Sequence, residues 1–266
     1  MFWNIYKKNL LGSLSQVILE NNIDIVALAE SENLDIRSLI NELKLQGQNW
    51  KLIEICPISD IRLLAKQTLR ISVHQEEKRF SAYKVLDCEE MYLLNVVHLS
   101  SAMHLEEEAR NARAISISQV LRKVEESVFV NSEYKSIIVG DFNLQPYSQG
   151  ISGVYGFNAT MSIPKAKKIL RTVDGEPKYF YFNPTWKLMG DNKNAQGTYY
   201  NNSDQQERSI FWYSFDEILI RPYFIDKFNW EYFGIIEKTK MHKLVSSEII
   251  NKNDYSDHLP IKFEII

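Results

Sequence analysis

The sequence predicts an α+β fold, a two-layer sheet sandwich flanked by helices, and three observations predict it. Apolar runs of strand length outnumber helical patterns. The helical patterns are interspersed among the early and middle strands. Each half of the chain also carries strands that end in polar residues.

Taken in order, Phe2-Trp3-Asn4-Ile5 reads as a strand, and Leu10 to Glu20 has apolar residues at helical spacing. Ile23 to Ala29 is a second buried strand ending at Glu30, and Leu34 to Leu45 is a helix. Strands then follow in series at Trp50–Ile55, Ile61–Ala65, Leu69–Val73, Phe80–Leu86 and Tyr92–His98, a spacing that suggests a meander. Leu105 to Val130 is the longest helical stretch, strongly charged at its start by Glu106, Glu107, Glu108, Arg110 and Arg113. Ser136–Gly140 is a strand leading to Asp141. Residues 144–209 are loop-rich, with one helical piece near Pro164–Arg171. Phe215–Ile220, Phe224–Tyr232 and Leu259–Ile265 are late strands. No repeat, low-complexity tract or linker divides the chain, so residues 1–266 are expected to form a single domain.

At 266 residues the chain has ample length for a buried core, and its 45% apolar and 24% charged residues are ordinary for a globular protein. A net charge of −3 gives no whole-molecule attraction to nucleic acid or an anionic membrane; a nuclease would need a local basic surface. Cys56 and Cys88 lack metal-ligand spacing and read as reduced, buried thiols. The run from Met1 to Ile5 is too short for a secretory signal and is followed by Lys7 and Lys8, and no run reaches the roughly 18 to 20 apolar residues of a membrane span. A cytoplasmic location is the expectation, and the oligomeric state is not legible.

Polar residues recur at strand ends. Asn4 sits in Trp3-Asn4-Ile5, Glu30 ends Val26-Ala27-Leu28-Ala29, and His98 ends Leu94-Asn95-Val96-Val97. Asp141 and Asn143 follow Val139-Gly140, two residues apart, so in an extended chain they can point the same way. Asp216 lies in Phe215-Asp216-Glu217-Ile218-Leu219-Ile220, and Asp257-His258 precede the last strand. Any one of these alone reads as a turn former or a satisfied polar residue. Together, a carboxylate, an amide, an imidazole and further acids at strand ends suit metal-assisted attack by water on a phosphate.

In this set the sequence resembles the endonuclease/exonuclease/phosphatase superfamily, which includes pancreatic-type deoxyribonucleases, abasic-site endonucleases, neutral sphingomyelinases, inositol polyphosphate phosphatases and deadenylases. Six elements carry the resemblance over nearly the whole chain: Trp3-Asn4-Ile5, Asp24 to Glu30, Val97-His98-Leu99, Gly140-Asp141-Phe142-Asn143, Phe215 to Leu219, and Ser256-Asp257-His258-Leu259-Pro260. The resemblance implies a four-layer α/β/β/α sandwich of two packed mixed sheets flanked by helices. It implies Glu30 as the main divalent-metal ligand, with Asn4 and Asp257 beside the ion directly or through water. The ion would be Mg²⁺, with Mn²⁺ as an alternative, because hard oxygen donors suit it. Asp141 would orient or deprotonate the attacking water, with Asn143 holding that carboxylate and the phosphate. His258 would hydrogen-bond a phosphoryl oxygen, Asp216 would fix its ring, and His98 would serve the scissile phosphate or the leaving group.

The pattern departs from abasic-site endonucleases at two places. They carry an acid two positions after the first Asn, where this chain has Tyr6, and tend to have tyrosine at the place of His98. Glu32 is an alternative to Glu30 as a ligand, although the match falls on Glu30. His74, His104 and His242 have no matching motif and read as surface or loop residues. Lys165, Lys167, Lys168 and Arg171 form the clearest basic cluster; it reads as a solvated helix face, with a phosphate-backbone contact as the alternative. Trp186, Tyr199 and Tyr200 are candidates to stack on a base or sugar, against the alternative of buried aromatic packing.

The leading expectation is a Mg²⁺-dependent phosphodiesterase, a nuclease hydrolysing DNA or RNA by in-line attack of water at phosphorus. The rival enzymatic reading is a phosphatase or phosphodiesterase for inositol phosphates, lipid head groups or other small phosphorylated molecules. The non-enzymatic rival is a degenerate member acting as a binding module; it would be expected to lack Glu30, Asp141 or His258, and none is missing.

Overall fold

Two mixed sheets lie face to face in the computed structural model, which describes residues 1–53, 59–87, 90–101, 105–130, 132–190, 195–203 and 209–266. The first sheet takes β1 (Phe2–Asn4), β2 (Ile25–Ala29), β3 (Trp50–Ile53) and β4 (Arg62–Lys66), with the strands Gly234–Ile235 and Ile261–Lys262 at its other side. β1 and β2 run parallel, the only parallel pair in that sheet among the described residues. The second sheet runs β5 (Arg70–Glu77), β6 (Phe80–Asp87), β7 (Glu90–His98), β8 (Ser136–Asp141), then Asp216–Ile220, Tyr181–Phe182 and Ala159–Thr160.

Alternation of side chains builds the four layers. Phe2, Ala27, Leu63, Val96, Ile137, Val139 and Ile218 point between the sheets and form one apolar core. Their neighbours Trp3, Leu28 and Leu64 point outward, where Leu14, Val17 and Ile18 of α1 (Leu11–Glu20) and Leu39 and Leu43 of α2 (Ile36–Leu45) cover them. On the far side, Leu93, Val97 and Ile138 are covered by Ala114, Leu121 and Val124 of α3 (Glu107–Val128). The expected α/β/β/α sandwich is what forms.

Four local expectations change. The strands between Trp50 and His98 are not one meander: β3 and β4 pair within the first sheet, and β5, β6 and β7 open the second. The helix near Pro164–Arg171 is a single turn, Ile163–Ala166, followed by a hairpin of Leu170–Val173 with Glu176–Tyr179. Ile169 at φ 69° ends the turn, and Asp174 and Gly175, both left-handed, close the hairpin. Lys165, Lys167, Lys168 and Arg171 therefore share no helix face; Lys167 pairs with Asp226 at 2.6 Å, and Arg171 donates to Asn158. Phe224–Tyr232 is not a strand, because Pro222 starts a 3-10 helix through Lys227 that sinks Phe224 and Ile225 into the core. The last strand is interrupted: it pairs at Ile261–Lys262, just after Pro260, which has no N–H to donate, and again at Ile265, which forms an isolated antiparallel bridge with Phe228. Cys56, Cys88 and His104 lie outside the described residues.

Candidate active site

The polar site is the last layer of the inter-sheet core. Asn4 follows Phe2 by two, His98 follows Val96, Asp141 follows Val139, and Asp216 precedes Ile218. Each therefore keeps the inward direction of an apolar residue but stands at the strand end. Register then assembles them: β7 and β8 place His98 opposite Asp141, and the antiparallel neighbour places Asp216 opposite Asp141 from the other side.

Glycine makes the close approach possible. Gly140 has φ 155°, and a Cβ there would lie 1.9 Å from the Val97 carbonyl oxygen. The turn after it is an Asx turn: Asn143, at φ 50°, donates its backbone N–H to Asp141 Oδ1 at 2.8 Å. The Asn143 side-chain amide donates to the Leu99 carbonyl at 3.1 Å, tying the Asp141 and His98 loops together.

Alternation alone would send Glu30 to the outer face, since Ala29 points inward. A left-handed backbone at φ 49° turns it back. The Asn4 amide nitrogen donates to Glu30 Oε1 at 3.2 Å and to Asp141 Oδ2 at 3.1 Å, while Asn4 Oδ1 accepts the Tyr6 N–H. Glu32 is exposed, and no contact places it in the cluster.

His258 is held on every side. Its Nδ1 meets Asp216 Oδ2 at 2.8 Å, its N–H donates to Ser256 Oγ, and its carbonyl accepts from Trp3 Nε1 at 2.9 Å. Ser256 Oγ in turn donates to the Asn4 carbonyl at 2.6 Å. Thr198 Oγ1 accepts the Asp216 N–H.

A second carboxylate–imidazole pair faces the first. His98 Nδ1 lies 3.0 Å from Asp60 Oδ2, and its Nε2 lies 3.5 Å from Glu30 Oε1. Both imidazoles hold Nε2 at 3.9 Å from Asp141 Oδ2. Asp60 was missed in the sequence; the available signal was a carboxylate directly before buried Ile61 and the strand that pairs with β2.

Burial sets the charges against one another. It works against a charged His258, and the carboxylates of Asp216 and Asp141 override it, raising the ring to about 10. Burial pushes the Asp141 carboxyl up to about 6, with His258 pulling the other way. Asp257 is raised by burial and by the Glu30 charge, with His258 opposing. For His98, burial is overcome by the hydrogen bond to Asp60 and the charge of Asp141, so it too is raised.

This arrangement fits a divalent cation. Glu30, Asp60, Asp141, Asp216 and Asp257 gather around two imidazoles, and the ion-pair partners of the first four are those imidazoles alone among the described residues. Oxygen donors in that excess suit a hard dication. Asp141, Asp216 and His258 bring ligand atoms within 4.8 Å of one another and could also hold a metal. In that trio the His258 Nδ1 is already engaged by Asp216 Oδ2, which leaves Nε2 as the free ring nitrogen.

Of the three aromatic candidates, Tyr199 is at the site, and no contact joins Trp186 or Tyr200 to it among the described residues. The Tyr199 ring lies 5.1 Å from the His258 ring, and their backbones form a bridge. Half-buried Trp186 sits in the 3-10 turn Pro184–Leu188 and meets Tyr147 at 6.2 Å. Tyr200 meets Trp212, its register partner in the same hairpin, with tilted rings 5.0 Å apart. His74 lies in β5, and His242 bonds Tyr255 away from the cluster.

No protein-family model and no curated protein sequence matches the chain. Solved structures do match in shape. D. rerio TDP2 complexed with single strand DNA product superposes at TM-score 0.52 and 14% identity, over 97% of this chain and 94% of that one. A mannosyl-6-phosphatase of Bacteroides thetaiotaomicron gives 0.52 and 14%, over 95% and 89%. The endonuclease domain of TRAS1, a telomere-specific non-LTR retrotransposon, gives 0.53 and 11%, over 99% and 96%. The chain thus has the fold shared by these three proteins, in keeping with the fold that the sequence resemblance implies.

Proposed function

We propose that residues 1–266 act as one domain that hydrolyses phosphodiesters with Mg²⁺, its substrate a nucleic acid. The observation that carries this reading is Asp141 between two carboxylate-held imidazoles, each 3.9 Å from the same oxygen. Asp141, with its Oδ1 engaged by Asn143 N–H, turns Oδ2 toward the imidazoles, and that oxygen, which also accepts from the Asn4 amide, takes the proton of an attacking water. The water oxygen bonds to phosphorus as the bond to the leaving oxygen breaks. Protonated His258 donates to a phosphoryl oxygen whose charge grows, and Asp216 keeps the ring charged and oriented. His98, held by Asp60, serves the leaving oxygen from the other side. Glu30 and Asp257 would hold the ion, with Asn4 acting through water because its amide nitrogen faces the carboxylates. When bound, the ion supplies positive charge to the reacting phosphate.

The aromatic hairpin favours a nucleic acid over a small phosphate ester. Tyr199, Tyr213 and Phe215 form a contiguous ring cluster beside His258, while Tyr200, Phe211 and Trp212 form a second cluster on the other face of the hairpin. Unpaired bases stack on such platforms. TDP2 with its single-strand product and the TRAS1 endonuclease domain support the same substrate class. The mannosyl-6-phosphatase supports the small-molecule alternative.

Parallel incubation with single-stranded DNA, plasmid DNA, single-stranded RNA and inositol phosphates, in Mg²⁺ and then in EDTA, tests the proposal. Cleavage of a nucleic acid that stops in EDTA is expected. Turnover of inositol phosphates alone would transfer the assignment to the phosphatase reading, and turnover of nothing would end the hydrolytic one.

A further inference from the structure

We propose that Arg110 is a positioning residue for the Asp141–Asn143 pair, an inference that rests on the hydrolytic reading above. The charged start of α3 packs against the loops that carry the site. The Arg110 Nη1 donates to the Asn143 carbonyl, and Arg113 Nη1 donates to Ser100 Oγ at 3.1 Å, two residues beyond His98. Between them, Asn111 Oδ1 accepts the Gly150 N–H at 2.7 Å. One helix face thus ties the loops following β7 and β8 to a rigid element whose Ala114 and Leu121 are buried in the outer core.

The bond to Asn143 matters because of where that residue sits. Asn143 sits in the left-handed region, which asparagine adopts more readily than other non-glycine residues, and local hydrogen bonds fix it there. Three bonds do so: its N–H to Asp141 Oδ1, its side chain to the Leu99 carbonyl, and its own carbonyl to Arg110. The first of these fixes which Asp141 oxygen faces the imidazoles. Removing the guanidinium frees the peptide after Asn143, and the Asp141 carboxylate loses its fixed direction. A lysine keeps the charge and an N–H donor to the Asn143 carbonyl but on a shorter, flexible stem, so it restores the bond in part.

The test compares wild type with Arg110→Ala and Arg110→Lys in two readouts. The first is hydrolysis of bis(4-nitrophenyl) phosphate with Mg²⁺ or Mn²⁺. The second is amide hydrogen exchange of Asn143 in protein labelled with ¹⁵N-asparagine. Arg110→Ala is expected to lower kcat by roughly 10²-fold with KM held within about threefold, the mark of lost alignment rather than lost binding. Arg110→Lys is expected to recover about tenfold of that loss. Asn143 exchange should accelerate in the alanine variant and fall between the two in the lysine variant. Unchanged kcat with unchanged Asn143 exchange overturns the proposal, as does a change confined to KM. Should wild type leave the ester intact, the hydrolytic reading fails, and Asn143 exchange alone decides whether Arg110 positions this turn. Should the alanine variant not fold, the lysine variant carries the same decision.

Discussion

Asp216 Oδ2 lies 2.8 Å from Nδ1 of His258, and Asp216 itself is anchored through its N–H to Thr198 Oγ1. The carboxylate holds the ring in one orientation with Nε2 toward Asp141. The pair therefore acts as a unit.

Asp216→Asn is expected to lower the rate of phosphodiester cleavage by about 10² to 10³-fold, and His258→Ala by a similar amount. The double variant should be little worse than either single one, since each change removes the same function. Initial rates for the four proteins check this. Multiplicative losses would show that the two residues act separately.

Asp60 and His98 form the weaker copy of that pair, with Asp60 partly open to solvent. Asp60→Asn should reduce the rate by only about tenfold, and it should cost nothing further in a His98→Ala background. The same kinetic cycle, run on one oligonucleotide, reads the outcome.

Gly140→Ala is expected to be severe. Its Cβ would enter the Val97 backbone at 1.9 Å from the carbonyl oxygen, in the strand pair that aligns His98 with Asp141. Backbone cannot yield as a flexible side chain does, so a loss of about 3 kcal/mol or more is expected, read as the shift in urea midpoint. A midpoint unchanged from wild type would show that β7 and β8 do not approach so closely.

Glu217, next in the strand to Asp216, gives stability a pH dependence of its own. It points to the outer face beside Gly140, is fully buried, and has Oε2 bonded to Asn183 while Oε1 has no partner among the described residues. Burial raises its carboxyl well above the ordinary 4.5, with the Asn183 hydrogen bond opposing. The folded state then binds more protons than the unfolded one. Its contribution is fully present below about pH 4.5 and is lost as pH rises toward the folded value. Glu217→Gln is neutral throughout, so its melting temperature should gain on wild type between pH 5 and 8, by roughly 2 °C or more. A constant difference across that range would mean that Glu217 ionises as it does in water.

Much of the site was legible because the apolar alternation of each strand continues into its polar end. Val96 fixes the direction of His98, Val139 that of Asp141, and Ile218 that of Asp216. Glu30 was found by its place in a motif, although alternation alone points it outward; the left-handed turn at φ 49° is what brings it in. Asp60 was hidden because its partner lies 38 residues away. Arg110 was visible only as one charge among several, since its role depends on a backbone carbonyl in a distant loop. The basic helix failed at Ile169, where a left-handed residue breaks a stretch whose composition reads as helical. The Phe224–Tyr232 strand failed because aromatic runs fill cores in either conformation, and Pro222 chose the 3-10 turn.

Asp141 is proposed to take the proton of water, and Glu30 and Asp257 would hold the cation. Cleavage of a single-stranded oligonucleotide in saturating Mg²⁺ by wild type and by Asp141→Asn, with Mg²⁺ affinity and circular dichroism recorded on both, tests it most directly. A rate loss of about 10³-fold or more with fold and Mg²⁺ affinity retained is expected. A variant that cleaves within about tenfold of wild type would contradict the claim.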